Sequence, residues 1–421
     1  MTKTHKKINL KILLTALMGN IIEYYGFTLF AVFPVLIGSE FFPEQNSFAQ
    51  TMSAFMIFGT GFISRPLGAL YFGHLADRIG RKVALSYTIF GMSITTLLIS
   101  IIPNYHSVGT VSIFLLIILR LAQGFFVGGE GPGSALYLIE HTSKKNEGFA
   151  GGCLIASIVS GSLLAMIVGL LFHNLALSDH FKWRIPFIFA SAFGLIGLYL
   201  RLILPETSDF ITLKKENKVL NVPIKVALRE EWQQILLLAS LGGITTAISY
   251  IIMAFMSIYL ETQIGLSKKL SLYTSIFGIF FYVISLLMMG KIANFCNKRK
   301  LTLFSCTTLL FSITPIFYFI SYGKPLSAII AFVLMSLLAA GMCAPAYPYA
   351  KEKFTAAYRC SAVGFGYTLG IAIFGGFTPA ISIYLIEKTQ IYNISNIAPA
   401  FYIMSLAIFY LIMEYTAKKI N

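Results

Sequence analysis

Gly73-His74-Leu75-Ala76-Asp77-Arg78-Ile79-Gly80-Arg81-Lys82 and Gly290-Lys291-Ile292-Ala293-Asn294-Phe295-Cys296-Asn297-Lys298-Arg299 lie at a constant offset of 217 residues. Glycine meets glycine, alanine meets alanine, Asp77 meets Asn294, and Arg81-Lys82 meets Lys298-Arg299. Each copy is a short polar break between two long apolar runs, so a loop has been duplicated together with its surroundings.

Those surroundings are made for lipid. The chain is 57% hydrophobic and 12% charged, too little polar surface to coat a water-soluble globule of 421 residues. Twelve apolar stretches are long enough to cross about 30 Å of hydrocarbon. They fall near 10–38, 50–74, 83–103, 108–138, 149–174 and 185–204, then near 234–260, 270–293, 301–322, 325–350, 361–386 and 396–417. The polar stretch 205–233, with Lys214, Lys215, Lys218, Lys225 and Arg229, links an N-terminal six-helix bundle (1–204) to a C-terminal one (234–421). The predicted fold is therefore all-α: twelve transmembrane helices in two pseudo-symmetric six-helix bundles. Duplicated halves of this kind are the sequence mark of a rocking, alternating-access carrier.

Charge placement predicts the orientation. With both termini cytoplasmic, 24 Lys and Arg fall on the cytoplasmic side, six outside (Lys182, Arg184, Lys268, Lys269, Lys324, Lys388) and two, Arg65 and Arg120, within spans. The net charge of +15 follows from this asymmetry, and no basic face interleaved with aromatics offers a nucleic-acid groove. The start, MTKTHKKINLKILLTALMG, resembles a secretion signal, but its apolar stretch runs on to Phe41 without a small-residue cleavage site and reads as a retained first span. Cys153, Cys296, Cys306, Cys343 and Cys360 lack CxxC spacing and neighbouring His pairs, so neither a disulfide framework nor a metal site is indicated.

The Gly73–Lys82 loop looks like the signature loop of the major facilitator superfamily. Physically, Asp77 at a helix start can accept from backbone N–H groups while Arg81 and Lys82 supply countercharge across the gap between halves, a latch favouring an outward-open state. Gly73, Gly80, Asp77 and Arg81 are the candidate gating residues. Plain topogenic charge would account for Arg78, Arg81 and Lys82 but not for Asp77 or the glycines. With Asn294 in place of the acid, the second copy should latch more weakly.

Further stretches resemble the metabolite:proton symporter branch of that superfamily, and together they cover most of the chain. They are Gly19-Asn20-Ile21-Ile22-Glu23-Tyr24-Tyr25 with Phe27, Arg65-Pro66-Leu67-Gly68, Arg120-Leu121-Ala122-Gln123-Gly124 through Gly128-Gly129-Glu130, Trp183-Arg184-Ile185-Pro186-Phe187, Gly366-Tyr367-Thr368-Leu369-Gly370 and Phe374-Gly375-Gly376. That branch includes carriers for proline and betaine, 2-oxoglutarate, citrate and shikimate. Two departures stand out: Gly26 occupies the place of an intramembrane acid, which leaves proton coupling open, and Glu147 that of a cytoplasmic arginine. The sequence ends at Asn421 without a stretch like the coiled-coil extension of some osmolyte carriers, so regulation by such a tail is not expected.

Charge near the middle of a bilayer costs at least about 2.5 to 3.5 kcal/mol per residue, so each such group needs a partner or a wet cavity. At about 1.5 Å per residue, Glu23 and Arg120 fall near the midplane, and Arg65 about 12 Å from the cytoplasmic end of its span. The expectation is that Arg120 and Arg65 present guanidinium forks to a solute carboxylate, with Tyr24, Gln123 and Tyr367 lining the site and Glu23 carrying the proton. A structural Glu23–Arg120 ion pair, and snorkelling of Arg65 to the cytoplasm, are the alternatives. Glu130 is expected to face the cytoplasmic vestibule near Asp77 as a gating residue. The second half carries no mid-span acid or base; Tyr250, Tyr347, Tyr349 and Tyr367 are expected to shape the site and stack on a quaternary ammonium or pyrrolidinium nitrogen, although interfacial tyrosines are common.

The function expected is secondary transport of a small zwitterionic or anionic solute, proline or glycine betaine first, by a chain acting as a monomer in the bacterial inner membrane. No cofactor is expected beyond the proton gradient. A dicarboxylate carrier and a non-transporting sensor are the competing readings. No Ser-His-Asp set, metal-ligand cluster or phosphate loop suggests an enzyme or a nucleotide-driven pump.

Overall fold

The computed structural model describes residues 10–43 and 45–419. The basic start at residues 1–9, used in the orientation reading, lies outside them. Every regular element among the described residues is helical, as a chain in lipid requires when backbone N–H and C=O groups have no water to bond.

Eleven helical segments are long and apolar enough to cross a membrane. The expected second crossing completes twelve as two consecutive pieces, Ser47–Ile63 and Arg65–Ile79, divided at Ser64 just before Pro66. Proline at position 66 lacks the N–H that would continue the ladder. The Ser64 hydroxyl instead donates to the Leu121 carbonyl of span four at 2.7 Å. The first span is also divided, into Leu10–Val32 and Pro34–Phe41. Spans seven and eleven each carry one π-helical turn, Ile251–Phe255 and Ile371–Gly375, the kind of local widening that recurs at functional positions.

Spans two and four meet backbone to backbone. A Cβ built on Gly68 would lie 1.8 Å from the Phe125 carbonyl oxygen, and one on Gly128 would lie 2.1 Å from that of Arg65. Only glycine permits this approach, and the contact sets Arg65 and Arg120 on neighbouring helices. Between the halves, the stretch after span six forms two short helices, Ser208–Lys215 and Pro223–Glu230.

The charge count that assigned Arg201 to the cytoplasmic segments is corrected here. Arg201 is 2% exposed and lies inside the bundle at the end of Asp179–Leu202.

Candidate functional site

Phe27 in span one meets two cations. The Arg65 and Arg120 guanidinium carbons each lie 4.5 Å from the centre of its ring. Arg65 also lies 4.3 Å from the ring centre of Phe62, and Arg120 lies 4.6 and 5.0 Å from those of Phe30 and Phe58. Phe27, Phe58 and Phe62 contact one another at centroid distances of 5.3 to 5.5 Å, and Phe62 meets Tyr250 of the second half at 5.4 Å. The ring quadrupoles offset part of the cost of burying two like charges side by side.

Arg65 therefore does not snorkel; it is buried in this aromatic box. Its Nε and Nη2 have no hydrogen-bond partner, and the Tyr250 phenol lies within its electrostatic reach. Arg120 donates from Nη1 to Gln123 Oε1 at 2.5 Å and from Nη2 to the Phe58 carbonyl at 3.3 Å, leaving Nε unused. Gln123 donates in turn to Thr96 Oγ1 at 2.9 Å. Its amide thus links Thr96 to Arg120 in one hydrogen-bonded chain.

Glu23 is buried, and neither carboxylate oxygen has a hydrogen-bond partner. The Glu23–Arg120 ion pair considered from sequence is not formed. Among the described residues no carboxylate lies within ion-pair distance of Arg65 or Arg120, so the box holds two positive charges with donors to spare.

The second half faces this box with phenols. A Cβ on Gly131 would lie 3.3 Å from Tyr24 Oη and 3.9 Å from Tyr347 Oη, so phenols of the two halves converge over one glycine. Tyr347 and Tyr367 pack with ring centres 4.6 Å apart. Tyr367 Oη shares a hydrogen bond of 2.8 Å with Thr245 Oγ1, and Tyr282 bonds to Ser249 at 2.8 Å and to Cys343 Sγ at 3.3 Å. Thr245, Ser249, Tyr282 and Cys343 were not singled out from sequence, because isolated hydroxyls and a thiol in apolar runs carry no spacing signal. Tyr349 is elsewhere, donating to Glu414 at 2.9 Å.

The candidate gating residues Asp77, Arg81, Gly73 and Gly80 gather at the basic face. Asp77 accepts from Cys360 N at 3.2 Å, Ser361 N at 2.9 Å and Ser361 Oγ at 2.8 Å. The helix start it caps belongs to span eleven, in the other half, so the latch bridges the halves directly. Arg81 forms ion pairs with Asp77 and Glu140, each at 3.4 Å, and donates to the Ala356 carbonyl at 3.0 Å. A Cβ on Gly73 would lie 2.8 Å from Ser361 Cα. Gly80 has φ of 122°, and a Cβ there would lie 2.3 Å from Glu206 Oε2, the carboxylate that accepts from the N–H groups of Arg81 and Lys82.

A second set of contacts closes the same face. Asn294 accepts from Phe149 N at 3.0 Å, repeating the Asp77 arrangement with a neutral side chain. Glu147 binds Lys298 at 3.2 Å and Lys351 at 3.0 Å, and Arg359 binds Glu140 at 2.8 Å and Asp209 at 3.0 Å. Glu130 does not join Asp77, contrary to expectation. It is buried within the first half, paired to Arg201 and accepting from Thr88 Oγ1 at 2.6 Å.

An all-helical bundle of two six-span halves, bridged at its basic face and holding two buried cations that no described carboxylate pairs, is the architecture of a secondary carrier. The family model described as Major Facilitator Superfamily matches residues 16–379, and the chain belongs to that superfamily. The chain is 29% identical to the proline/betaine transporter of Escherichia coli K12, covering 97% of this chain and 83% of the relative. It is 27% identical to the ectoine/proline transporter ProP of Corynebacterium glutamicum, over 92% and 79% of the two chains. It is 30% identical to a citrate-proton symporter of Salmonella typhi, over 88% and 86%. The structure of the proton:xylose symporter XylE bound to 6-bromo-6-deoxy-D-glucose superposes with a TM-score of 0.76 over 99% of this chain and 96% of that one, at 14% identity, a likeness of fold alone.

Proposed function

We propose that this protein is a proton-coupled symporter that carries a small zwitterionic solute, proline or glycine betaine first, by alternating access. The observation that carries the reading is the pair of buried guanidiniums over the Phe27 ring, with unused donors on Arg65 and Arg120 and, among the described residues, no carboxylate paired to either. Such a box attracts a carboxylate, which a bound solute supplies. Tyr24 and Tyr347 bring their hydroxyls together at Gly131 and Tyr347 packs against Tyr367, a phenol cluster of the kind that suits a pyrrolidinium or quaternary ammonium end. Glu23, a buried carboxylate without a partner, is the proton carrier in this scheme.

The units that rock are residues 1–204 and 234–421, joined by 205–233. The Gly73–Lys82 face is cytoplasmic, with both termini on that side, and the chain works as a monomer in a bacterial inner membrane. Closure of that face by Asp77, Arg81 and Glu147 favours opening to the outside. A dicarboxylate is the second reading, favoured by the presence of two guanidiniums and by the similarity to a citrate-proton symporter.

The test is uptake of labelled proline, glycine betaine and 2-oxoglutarate by vesicles reconstituted with the protein under an imposed pH gradient. Gradient-driven accumulation of proline or betaine that 2-oxoglutarate does not compete is the expected result. Accumulation of 2-oxoglutarate alone selects the second reading.

A further inference from the structure

Two unmet needs lie side by side inside the first half. Glu23 has two acceptor oxygens without a donor, and Arg201 has an Nε–H without an acceptor. Arg201 packs against span one at Gly19, where a Cβ would lie 2.7 Å from Nη2 and 3.2 Å from Nε. Gly19 is four residues before Glu23, one helical turn or about 6 Å along the same face. Arg201 thus touches span one a single turn from a bare carboxylate while its Nη2 is committed to Glu130 on span four.

We infer that Arg201 is a two-position switch that exchanges Glu130 for Glu23 and so ties the charge of Glu23 to the movement of spans one, four and six. This rests on the proton-coupled reading above. With Glu23 protonated, Arg201 stays on Glu130, as here. When Glu23 gives its proton to water at the basic face, the new carboxylate takes Arg201 donors, and Glu130 keeps the Thr88 hydroxyl. Reprotonation of Glu23 by water from the opposite face returns Arg201 to Glu130. One proton is bound and one released per cycle, and no other group changes charge.

The surroundings favour such an exchange. The charged and titratable groups acting on Glu23 are Tyr24 on its own helix, Arg65 from span two, Glu130 from span four and Arg201 from span six. Arg65 is stacked on Phe27 and Phe62, whereas Arg201 lies at Gly19 and already holds a carboxylate, Glu130, for which Glu23 can be exchanged. Around Arg201 the acids and phenols are Glu130, Glu23 and Tyr137, and Tyr137 is bound to the Pro205 carbonyl at 2.6 Å. The absence of a side chain at Gly19 leaves the guanidinium a path along the helix.

The experiment measures exchange of labelled proline across reconstituted vesicles with equal pH on both sides, at a series of pH values. Exchange falls on the alkaline side as Glu23 loses its proton. In Glu130→Gln, Arg201 is free for Glu23, and the alkaline limb moves to lower pH by about one unit, a tenfold change in proton concentration. In Arg201→Gln combined with Glu130→Gln, no buried charge is stranded, Glu23⁻ has lost its cation, and the limb moves to higher pH by a similar amount. Opposite shifts are the result a merely structural ion pair would not give. Glu130→Gln keeps the side-chain shape and is readable even if the double variant fails to insert. A limb that stays in place, or moves the same way in both variants, overturns the switch while leaving proton coupling intact. If the unmodified protein shows neither gradient-driven accumulation nor an alkaline limb, the coupled reading falls and the switch with it.

Discussion

Asp77 and Ser361 are 284 residues apart in the chain, yet the Asp77 carboxylate accepts from both the backbone N–H and the hydroxyl of Ser361, at 2.9 and 2.8 Å. Two halves that must separate on one side of a membrane are thereby joined by a charged side chain on the N-terminus of a helix. The contact is strong enough to hold and small enough to break as a unit.

Replacing Asp77 by Asn removes the charge while keeping the shape. Charge-assisted hydrogen bonds contribute about 1.5 to 3 kcal/mol, so the closed-to-open ratio at the basic face falls by about tenfold or more. Cys360 is buried directly beneath the cap and is a free thiol. In a protein whose other four cysteines are replaced by serine, thiol alkylation of Cys360 is expected to accelerate about tenfold in Asp77→Asn. An unchanged rate would show that the cap does not hold the gate.

Glu147 sits between Lys298 and Lys351, both from the second half. Glu147→Arg places three cations together and costs the closed face more than Glu147→Gln does, because like charges replace a partly buried pair. The same alkylation assay should rank the proteins Glu147→Arg fastest, Glu147→Gln intermediate and the original slowest. Equal rates in all three would remove Glu147 from the gate.

Arg120 combines a planar fork to Gln123 and Phe58 with stacking against three phenylalanines. Lysine keeps the charge but offers neither the fork nor the flat face. Arg120→Lys is expected to reach the membrane in normal amount and to lose about a hundredfold in kcat/KM for uptake, equivalent to about 2.7 kcal/mol. Uptake within a few fold of the original would exclude Arg120 from solute recognition.

A Cβ on Gly26 would lie 3.3 Å from Ala190 Cβ and 3.8 Å from Thr96 Oγ1, the acceptor of the Gln123 amide that also binds Arg120. Gly26→Asp therefore brings a carboxylate beside the Arg120 network, where it competes with the solute. A rise in KM of about tenfold with little change in kcat is the expected signature of lost ground-state binding. A lower KM would mean that an acid at this position serves solute binding.

Much of the architecture was legible from the residue order because lipid is an unforgiving solvent. Every crossing must be apolar and helical, so runs of apolar residues mark the spans and the lysines and arginines mark the loops. The 217-residue repeat further marked contacts between the halves, since Asp77 and Asn294 occupy matching loops and both cap helices of the opposite half. Even the division of the second span at Ser64 has its local sign in Pro66.

The partners of the buried charges were decided only by the tertiary structure. In a bilayer both the lipid-facing and the core-facing sides of a helix are apolar, so hydropathy does not reveal which way Glu130, Arg201 or Tyr349 points. Glu130 has the same neighbours in sequence whether it faces Asp77 or Arg201, and packing of spans three, four and six selects the second. Arg201 resembles a loop cation until the bundle closes over it, and Tyr349 an inward phenol until Glu414 claims it. Length, apolarity and charge asymmetry are properties of a single strand of residues, whereas a hydrogen bond between groups scores of residues apart exists only once helix rotation and tilt have been set by contact with other helices.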